Sequence, residues 1–404
     1  GYPKQKVRPS KNSKKFGIRK KSRMSNEGSI ASLADCQVDS VRGFLPSEDP
    51  LKSLNERFEA WDQLALELNG LMAAGNCRSA IEALPILDAT KLTSLAERER
   101  AMLLLSVFGN AYVWGESTPA TQIPASLATP WNQVATALDR PMITSHASIV
   151  LNNWQRIDST GPIALGNIDT LQTFLGGMDE RWFYLVTVAI EAAGAPALPA
   201  MVAAQQAIAE EHDGKLCDAL QNLLLAIQNI NALLLRMEER CDPHIFYHRV
   251  RPFLTGWQEP GIVYEGIDPE PQVLIGGSAA QSSLIQSIDA ALGVEHHDQR
   301  SRPFLMAVRA YMPKGHRRFV EQIESGPSIR AFLKEKPRQD KARNLYDQCI
   351  ETLELFRRNH IRITTRYITA AAGDQGDARG TGGTEFQGFL QAARQETASR
   401  HLKS

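Results

Sequence analysis

Apolar residues recur along most of this chain at spacings of three and four, the period of an α-helix with one buried face. Runs with this period predict helices near residues 54–75, 92–110, 168–194, 199–212, 213–240, 278–293, 303–311, 316–325, 341–368 and 384–402. The clearest run carries one stripe formed by Leu216, Leu220, Leu223, Ile227, Ile230, Leu234 and Met237. Alternation typical of a strand is limited to the short segment PQVLIGG at 271–277. The pattern therefore predicts an all-α protein.

Two stretches interrupt the helical pattern. The segment RIDSTGPIALGNID concentrates Asp, Ser, Gly and Pro, which predicts a domain boundary near 155–165. We expect a small helical domain over residues 24–157 and a large helical domain over 158–404. The second stretch, TAAAGDQGDARGTGG at 369–383, is rich in glycine and poor in apolar residues. A loop of that length inside a compact protein is more often functional or disordered than structural filler.

Charge is distributed unevenly along the chain. The 404 residues include 45 Lys or Arg and 45 Asp or Glu, so the formal net charge is zero. Residues 1–23 hold ten of the basic residues and none of the acidic ones. The rest of the chain therefore has 35 basic against 45 acidic residues, a net charge of about −10. An acidic body argues against nucleic acid as the main partner.

The basic leader at residues 1–23 allows three interpretations. As a transit peptide it lacks an apolar face. As a basic tag it could bind an anionic surface or direct nuclear import. As vector-derived or untranslated sequence it would place the natural start at Met24, and the abrupt change of composition there favours this third interpretation. We expect the leader to be vector-derived or disordered.

The hydrophobic and cysteine patterns indicate a soluble, cytoplasmic protein. The hydrophobic share of 43% is ordinary for a globular chain and can build a sizeable core. The five scattered cysteines form no CxxC pair, which favours reduced thiols. No apolar run is predicted to reach membrane length, because the best candidate, 185–204, is broken by Glu191, Pro196 and Pro199.

One histidine interrupts an apolar stripe near the end of the helical run 341–368. The stripe consists of Leu353, Phe356, His360, Ile363 and Tyr367. A buried imidazole costs free energy unless a hydrogen bond in the core or a metal ion satisfies it. The nitrogen of a neutral imidazole suits the iron of a haem, and Arg357, one turn earlier, could meet a haem propionate. Both the core interpretation and the metal interpretation stay open on the spacing alone.

A second candidate site lies in HIFYHRVRPFLTGW at 244–257. On a helix, Phe246 and Val250 lie four residues apart, and Arg251 stands beside them. An arginine next to aromatic rings can bind a carboxylate through two hydrogen bonds while the rings hold a flat apolar group. The alternative is a surface arginine whose aliphatic stem packs on core aromatics.

Two glycine-rich segments could approach a ligand closely. In RGTGGTEFQGFL at 379–390, Thr381 stands among glycines, so that backbone amides and one hydroxyl could contact a ligand. A plain helix-entry loop is the alternative, and the same holds for IGGSAAQSS at 275–283. The pair His296–His297 is interpreted as a solvated turn, because no further ligands follow at metal-binding spacing.

In order along the chain, these segments resemble the indoleamine 2,3-dioxygenase family. The matching segments are AYVWGE at 111–116, WFYLVTVAIEAA at 182–193, FYHRVRPFLTGW at 246–257, VYEG at 263–266, GGSAAQSS at 276–283, YMPKGHRRF at 311–319, HIRITTRYI at 360–368 and GTGGT at 380–384. The likeness covers roughly residues 50–400. It implies an all-α fold in which a small N-terminal helical domain accompanies a large helical domain that holds haem b.

The resemblance also implies roles for individual residues. His360 takes the position of the proximal iron ligand, Arg357 that of a propionate partner, and Asp289 that of a carboxylate near it. Arg251 matches the arginine that clamps the substrate carboxylate, and Phe246 matches an aromatic of the distal pocket. The other implied substrate-contacting residues are His146, Phe183, Tyr184, Thr187, Gly277, Ser278, Ala279, Thr381 and Gly382, with Thr187 a catalytic candidate beside Arg251 and Phe246.

The implied activity is a haem-dependent dioxygenation. With ferrous haem b as cofactor and O₂ as co-substrate, such a protein converts L-tryptophan into N-formyl-L-kynurenine, the first step of the kynurenine pathway. We therefore expect a small indole amino acid as substrate, no nucleic-acid or membrane partner, and a monomer. The alternatives are another indole substrate on the same fold, or a non-catalytic haem sensor that would keep His360 without needing Arg251. A helical interaction protein without cofactor would leave these features unexplained.

The sequence departs from the family pattern at several positions. His146 stands where the family usually has a tyrosine at the distal wall. It could bond the indole nitrogen of the substrate, bind iron from the distal side, or pack; packing or a hydrogen bond is favoured over ligation of iron. Tyr184 replaces a phenylalanine, and Ala280 replaces a glycine. The stretch between His360 and Thr381 also looks shorter than in animal members. These departures leave the choice of substrate open.

Overall fold

A computed structural model of the protein describes residues 30–299, 301–372 and 386–402. Helices make up most of this part of the chain. In order they are α1 Glu59–Ala74, α2 Cys77–Glu82, α3 Leu95–Trp114, α4 Ala125–Leu138, α5 Met178–Gly194, α6 Ala197–Ala209, α7 Asp213–Leu235, α8 Pro243–Ile245, α9 Arg251–Leu254, α10 Ser283–Leu292, α11 Ser301–Val308, α12 Lys314–Ser325, α13 Ile329–Glu335, α14 Asp340–Thr364 and α15 Phe386–Ala398. Three π-helical segments, Ala147–Leu151, Phe246–Val250 and Thr365–Ala370, lie among them. The predicted all-α class is confirmed.

Short strands accompany the helices. They are β1 Gln122–Ile123, β2 Gln155–Arg156, β3 Ile168–Asp169, β4 Trp257–Tyr264 and β5 Asp268–Leu274. Strands β4 and β5 form an antiparallel hairpin, β1 pairs in parallel with β4, and β2 pairs with β3 in a separate antiparallel ribbon. The strand expected at 271–277 is present as the end of β5. Strand β4 was not predicted, because Pro260 and Gly261 break its apolar alternation.

Helix α7 lies at the centre of the helical layer and packs against α5, α6 and α14. All seven residues of its predicted stripe and its continuation are buried: Leu216, Leu220, Leu223, Ile227, Ile230, Leu234 and Met237. The stripe is continuous because residues three and four apart share one face of a helix. This packing holds two helices on α7: α14, which carries His360, and α5, which carries Phe183 and Thr187.

The start of α5 differs from the prediction. The helix begins at Met178 rather than near 168, and Ile168–Asp169 belongs to β3. The carboxylate of Glu180 accepts hydrogen bonds from the backbone N–H groups of Phe174, Leu175 and Gly176. These bonds hold the preceding segment in a turn, so the helix cannot extend backwards. Helices α2, α4 and α13 were not predicted, and Pro130 inside α4 accounts for the omission of α4.

The segment around the expected domain boundary forms the β2–β3 ribbon. Buried residues on both sides of it, from Ala31 to Tyr367, belong to one continuous hydrophobic cluster. Strand β1, from the first part of the chain, also pairs with β4 from the second. The division into domains at 157 stays a prediction.

Helices α5 and α6 form the most apolar stretch of the described chain. The span Met178–Ala209 is long and apolar enough to cross a membrane by length and composition alone, contrary to the expectation for this region. In its most apolar window, 61% of the residues are buried inside the protein. Such burial is typical of core helices, and α5 and α6 both pack on α7.

Candidate functional site

His360 lies in the last turn of α14, with its ring half-buried and stacked on Phe356 at 6.3 Å between centroids. Within the described residues, neither of its ring nitrogens forms a hydrogen bond, so a hydrogen bond in the core does not satisfy this imidazole. Burial, assisted by the nearby Arg357 cation, lowers the pKa of His360 to about 4. The ring is therefore neutral at physiological pH and keeps a nitrogen lone pair available to a ligand.

Arg357 and Asp289 form a largely buried ion pair one turn before His360. The Nη2 atom of Arg357 donates to both carboxylate oxygens of Asp289 on α10, at 2.5 and 2.6 Å. Burial alone would raise the pKa of Asp289, but the charges and hydrogen bonds of Arg357 and His296 outweigh it and lower that pKa. The two residues that the resemblance places together on the cofactor side are thus in contact.

His296 extends this ion pair and is not a solvated turn residue. Its Nε2 lies 3.0 Å from Oδ2 of Asp289, and its Nδ1 lies 2.8 Å from Oε2 of Glu396 on α15. Burial opposes protonation of His296, yet its acidic partners raise its pKa overall. The prediction was wrong because both partners are distant in sequence. One connected set of ion pairs therefore joins Arg357, Asp289, His296 and Glu396. The neighbouring His297 side chain remains exposed.

The chemistry of these groups matches an iron porphyrin. His360 offers a neutral nitrogen without a hydrogen-bond partner among the described residues. The Nε atom of Arg357 is buried and likewise has no partner in the part of the chain that the structure describes. A neutral imidazole and an adjacent guanidinium with a free donor are the two groups that a haem needs for its iron and a propionate. The residues present therefore fit this cofactor.

An aromatic cluster lies beside the helix that carries His360. The rings of Phe183 on α5 and Phe246 are 4.8 Å apart, and Phe246 meets Tyr367 edge-on at 5.7 Å. Tyr367 lies two turns after His360, and its hydroxyl donates to the Cys241 carbonyl at 2.5 Å. Phe183 is only partly buried, so its ring borders accessible space. The cluster can hold a flat apolar group near His360.

Arg251 lies next to this cluster, at the start of α9. Only 8% of its surface is exposed, which contradicts the surface-arginine interpretation. Its guanidinium carbon lies 5.0 Å from the centre of the Tyr247 ring. The preceding π-helical segment Phe246–Val250 has a wider turn than an α-helix, and this brings Phe246 and Arg251, five residues apart, towards one side. A buried cation beside aromatics is suited to a carboxylate on a flat substrate.

The neighbours of Phe183 on α5 take different positions. Thr187 is half-buried, and its hydroxyl donates to the Phe183 carbonyl at 2.9 Å. Tyr184 is only 1% exposed, and its hydroxyl donates to Glu180 at 3.4 Å. The structure therefore places Phe183 and Thr187 at the accessible side of α5 and Tyr184 behind them in the core. As placed, Tyr184 presents no free surface to a ligand.

The predicted pocket-floor segment forms a tight turn against the wall that contains His146. A Cβ on Gly277 would lie 3.2 Å from Cδ1 of Ile149, so a larger residue would push on this wall. Ser278 accepts a hydrogen bond from the Ala280 backbone N–H at 3.2 Å and caps the turn that contains Ala279. The other predicted residues of the substrate end, Thr381 and Gly382, lie outside the described residues.

His146 is buried and its ring is held by a glutamate that was not among the predicted site residues. Its Nε2 lies 2.8 Å from Oε1 of Glu191, which also accepts a hydrogen bond from the Ser282 hydroxyl at 2.5 Å. His146 is thus packed in the core with a protein partner, and its contact with the indole nitrogen stays a prediction. Glu191 could have been suspected from the sequence, because it is a lone acid in the apolar run of α5, four residues after Thr187.

Comparisons with known proteins agree on one family. A family model described as indoleamine 2,3-dioxygenase matches residues 32–400. Indoleamine 2,3-dioxygenase 2 of Mus musculus is 37% identical over 385 residues, covering 91% of this chain and 94% of its own. Indoleamine 2,3-dioxygenase of Saccharomyces cerevisiae is 33% identical, covering 88% and 91% respectively. A 6-hydroxytryptophan 2,3-dioxygenase of Fusarium equiseti is 32% identical, covering 91% and 97%.

Proposed function

The chain belongs to the indoleamine 2,3-dioxygenase family of haem dioxygenases that act on indoles, and from this premise we propose that its substrate is L-tryptophan. The product would be N-formyl-L-kynurenine, with both atoms of O₂ inserted across the C2=C3 bond of the indole. The observation that carries this proposal is the buried cation of Arg251, which lies over the Tyr247 ring five residues after Phe246. A guanidinium there selects a substrate that combines a flat ring with a carboxylate.

His360 would hold the iron of the bound haem, and Arg357 would hold a propionate. The bound haem supplies the redox chemistry that allows triplet O₂ to react with a closed-shell indole. The chain's own residues supply position. Arg251 binds the carboxylate and sets the distance of the ring from the cofactor, while Phe183 and Phe246 hold the ring and exclude water.

The apolar lining suits a reaction that needs no strong general base. Phe183 and Phe246 carry no titratable group, and the Thr187 hydroxyl is already committed to the Phe183 carbonyl. The binding energy of the carboxylate and the ring is therefore spent on orientation rather than on proton transfer. We propose that Arg251 and Phe246 act in catalysis by orienting the substrate, and that Thr187 acts by lining the side of α5 that also carries Phe183.

A second indole substrate is the alternative that a specific observation favours. His146 places a polar ring in the wall beside Gly277 and Gln281, where the resemblance implies a tyrosine. One relative is named a 6-hydroxytryptophan 2,3-dioxygenase. A hydroxylated indole amino acid would use the same Arg251 contact and add a hydrogen bond at this wall. A non-catalytic haem sensor does not require the buried Arg251, so we do not favour it.

The remaining expectations about the protein's setting stay predictions. We propose a monomer in the cytoplasm that works without a nucleic-acid or membrane partner. The acidic balance of the chain after residue 23 supports the part that concerns nucleic acid. The five cysteines are free and buried, which agrees with a reducing compartment.

The test compares two arginines on one segment. Haem-loaded protein is reduced without oxygen, its spectrum is recorded, and L-tryptophan and air are then added while N-formylkynurenine is measured. Wild type is expected to form product, and Arg251→Ala is expected to keep the haem spectrum and lose product. Arg249→Ala removes the same charge from an exposed position two residues away and should retain activity. Haem without product in the wild type would contradict the proposal.

A further inference from the structure

One stripe of α5 continues from the aromatic cluster into the wall that contains His146. Phe183, Thr187 and Glu191 are spaced four residues apart and therefore share one face of the helix. Glu191 is only 2% exposed. Its Oε1 accepts from Ser282 and contacts His146, while its Oε2 is buried without a partner among the described residues. Burying a carboxylate with one oxygen unsatisfied costs free energy, so its presence beside the site calls for a compensating role.

The contacts of Glu191 determine which nitrogen of His146 carries the proton. In a neutral imidazole one nitrogen donates and the other accepts. Since Oε1 of Glu191 already accepts from the Ser282 hydroxyl, it is also the acceptor for Nε2–H of His146 at 2.8 Å. The remaining nitrogen, Nδ1, is then an acceptor. It forms no hydrogen bond with a described residue, and it is not among the fully enclosed polar atoms.

Hydrogen bonds also hold the backbone beside the His146 ring. The His146 N–H donates to Oε1 of Gln281 at 2.9 Å, and Nε2 of Gln281 donates to the Gly276 carbonyl at 2.9 Å. The adjoining Ile149 packs against Gly277. The ring is thus held between α5 on its Nε2 side and the pocket-floor turn on its backbone side. In the proposal that follows, the edge that carries Nδ1 lies where these two elements meet.

We propose that Glu191 is a positioning residue that holds His146 so that Nδ1 accepts a hydrogen bond from the N–H of the indole substrate. This inference rests on the proposed function, because it assigns the ligand of the same site. A tyrosine hydroxyl can donate or accept, whereas Nδ1 held in this way only accepts. The wall then selects rings that present a donor, an indole N–H or a ring hydroxyl, and disfavours rings alkylated on nitrogen.

The test compares, in each variant, the dissociation constant of L-tryptophan with that of a tryptophan methylated on the indole nitrogen. Haem-loaded ferric protein is titrated with L-tryptophan and with 1-methyl-L-tryptophan, and the change in the haem spectrum gives each dissociation constant. The methyl group adds bulk in every variant, so the informative quantity is the change of the ratio between variants. Loss of one hydrogen bond whose partner remains buried corresponds to about tenfold in affinity. We expect the preference of the wild type for L-tryptophan to fall by about tenfold when this acceptor is lost.

Three variants separate positioning from packing. Glu191→Gln keeps the shape but can donate to Nε2, which moves the proton to Nδ1 and removes the acceptor; its ratio should fall about tenfold. His146→Phe removes the acceptor directly and should lower the ratio equally. Ser282→Ala removes the other hydrogen bond to Glu191 while leaving the carboxylate in place, so its ratio should stay that of the wild type.

The outcomes distinguish this inference from the proposed function. If Glu191→Gln and His146→Phe keep the wild-type ratio while the wild type still oxidises L-tryptophan, the inference is overturned and the function stands. If the wild type forms no N-formylkynurenine, the proposed function fails, yet the binding ratios still decide the role of the pair. If Glu191→Gln does not bind haem, the binding ratios of His146→Phe and Ser282→Ala are compared instead. The inference then requires a lower ratio in His146→Phe and the wild-type ratio in Ser282→Ala.

Discussion

Asp289 offers the sharpest test of how the cofactor side of the site is built. Its carboxylate bonds Arg357 at 2.5 and 2.6 Å and His296 at 3.0 Å, and all three side chains are largely buried. Asp289→Asn keeps the shape but removes the charge that compensates both. Removing one partner of a buried pair costs about 3–5 kcal/mol. Because an amide oxygen can still accept one hydrogen bond, we expect the lower end, about 3 kcal/mol.

The cost should depend on pH with a defined sign. The pKa of Asp289 is lowered, so its contribution to stability is present above its ordinary value of 3.8 and is lost as pH falls through the lowered pKa. The pKa of His296 is raised, so its contribution is present below 6.5 and is lost as pH rises through the raised pKa. Both contributions are present between pH 3.8 and pH 6.5. Asp289→Asn should therefore lower the free energy of unfolding most in this pH range and less in alkaline solution.

Urea unfolding of haem-loaded protein at about pH 5.5 and about pH 8.5 measures this difference. The matched control is Glu238→Gln, which breaks ion pairs to the more exposed Arg362 and Arg366. We expect the control to cost no more than about 1 kcal/mol. If Asp289→Asn costs no more than this control, or loses more stability at the alkaline pH, then the Asp289 carboxylate does not stabilise the fold through these two partners.

Three further predictions concern the iron ligand, the buried tyrosine behind the site and a glycine in the core. His360→Ala should abolish the haem spectrum of the purified protein while its circular dichroism keeps the helical signal, because the ring makes no hydrogen bond with a described residue that the fold would lose. Tyr184→Phe should leave the KM for L-tryptophan unchanged and lower the free energy of unfolding by about 1 kcal/mol, since its hydroxyl bonds the buried Glu180; a raised KM would show that the ring contacts substrate. Gly109→Ala should lower the melting temperature, because the new Cβ would lie 2.2 Å from the buried Trp131 ring, and overpacking costs about 1–3 kcal/mol; an unchanged melting temperature would mean that the ring moves freely.

The helices that could be predicted are those whose buried residues recur at helical spacing within one continuous segment. The stripe from Leu216 to Met237 identifies α7 and its continuation because every one of these residues faces the same neighbours. The start of α5 could not be predicted, since the Glu180 carboxylate that fixes it bonds backbone groups before the helix. Strand β4 exists because β5 and β1 supply partners, and its own sequence carries no alternation.

Some residues of the candidate site could likewise be predicted from the sequence, and others could not. Arg251 and His360 stand out in the sequence because a cation or an imidazole interrupts an otherwise apolar helical pattern. His296 was misjudged because its partner Glu396 lies 100 residues away and only the fold brings them together. Glu191 was passed over because His146, which it holds, comes from a different segment 45 residues earlier. Residues that act through another residue leave little trace in local pattern.

Isotope labelling follows the two atoms of O₂ into the product of the proposed reaction. Reduced, haem-loaded protein is mixed with L-tryptophan under ¹⁸O₂, and the product is analysed by mass spectrometry. If the chain is a dioxygenase of L-tryptophan, we expect N-formylkynurenine that carries two labelled oxygen atoms. Product with a single labelled atom, or unchanged tryptophan beside an intact haem spectrum, would show that it is not.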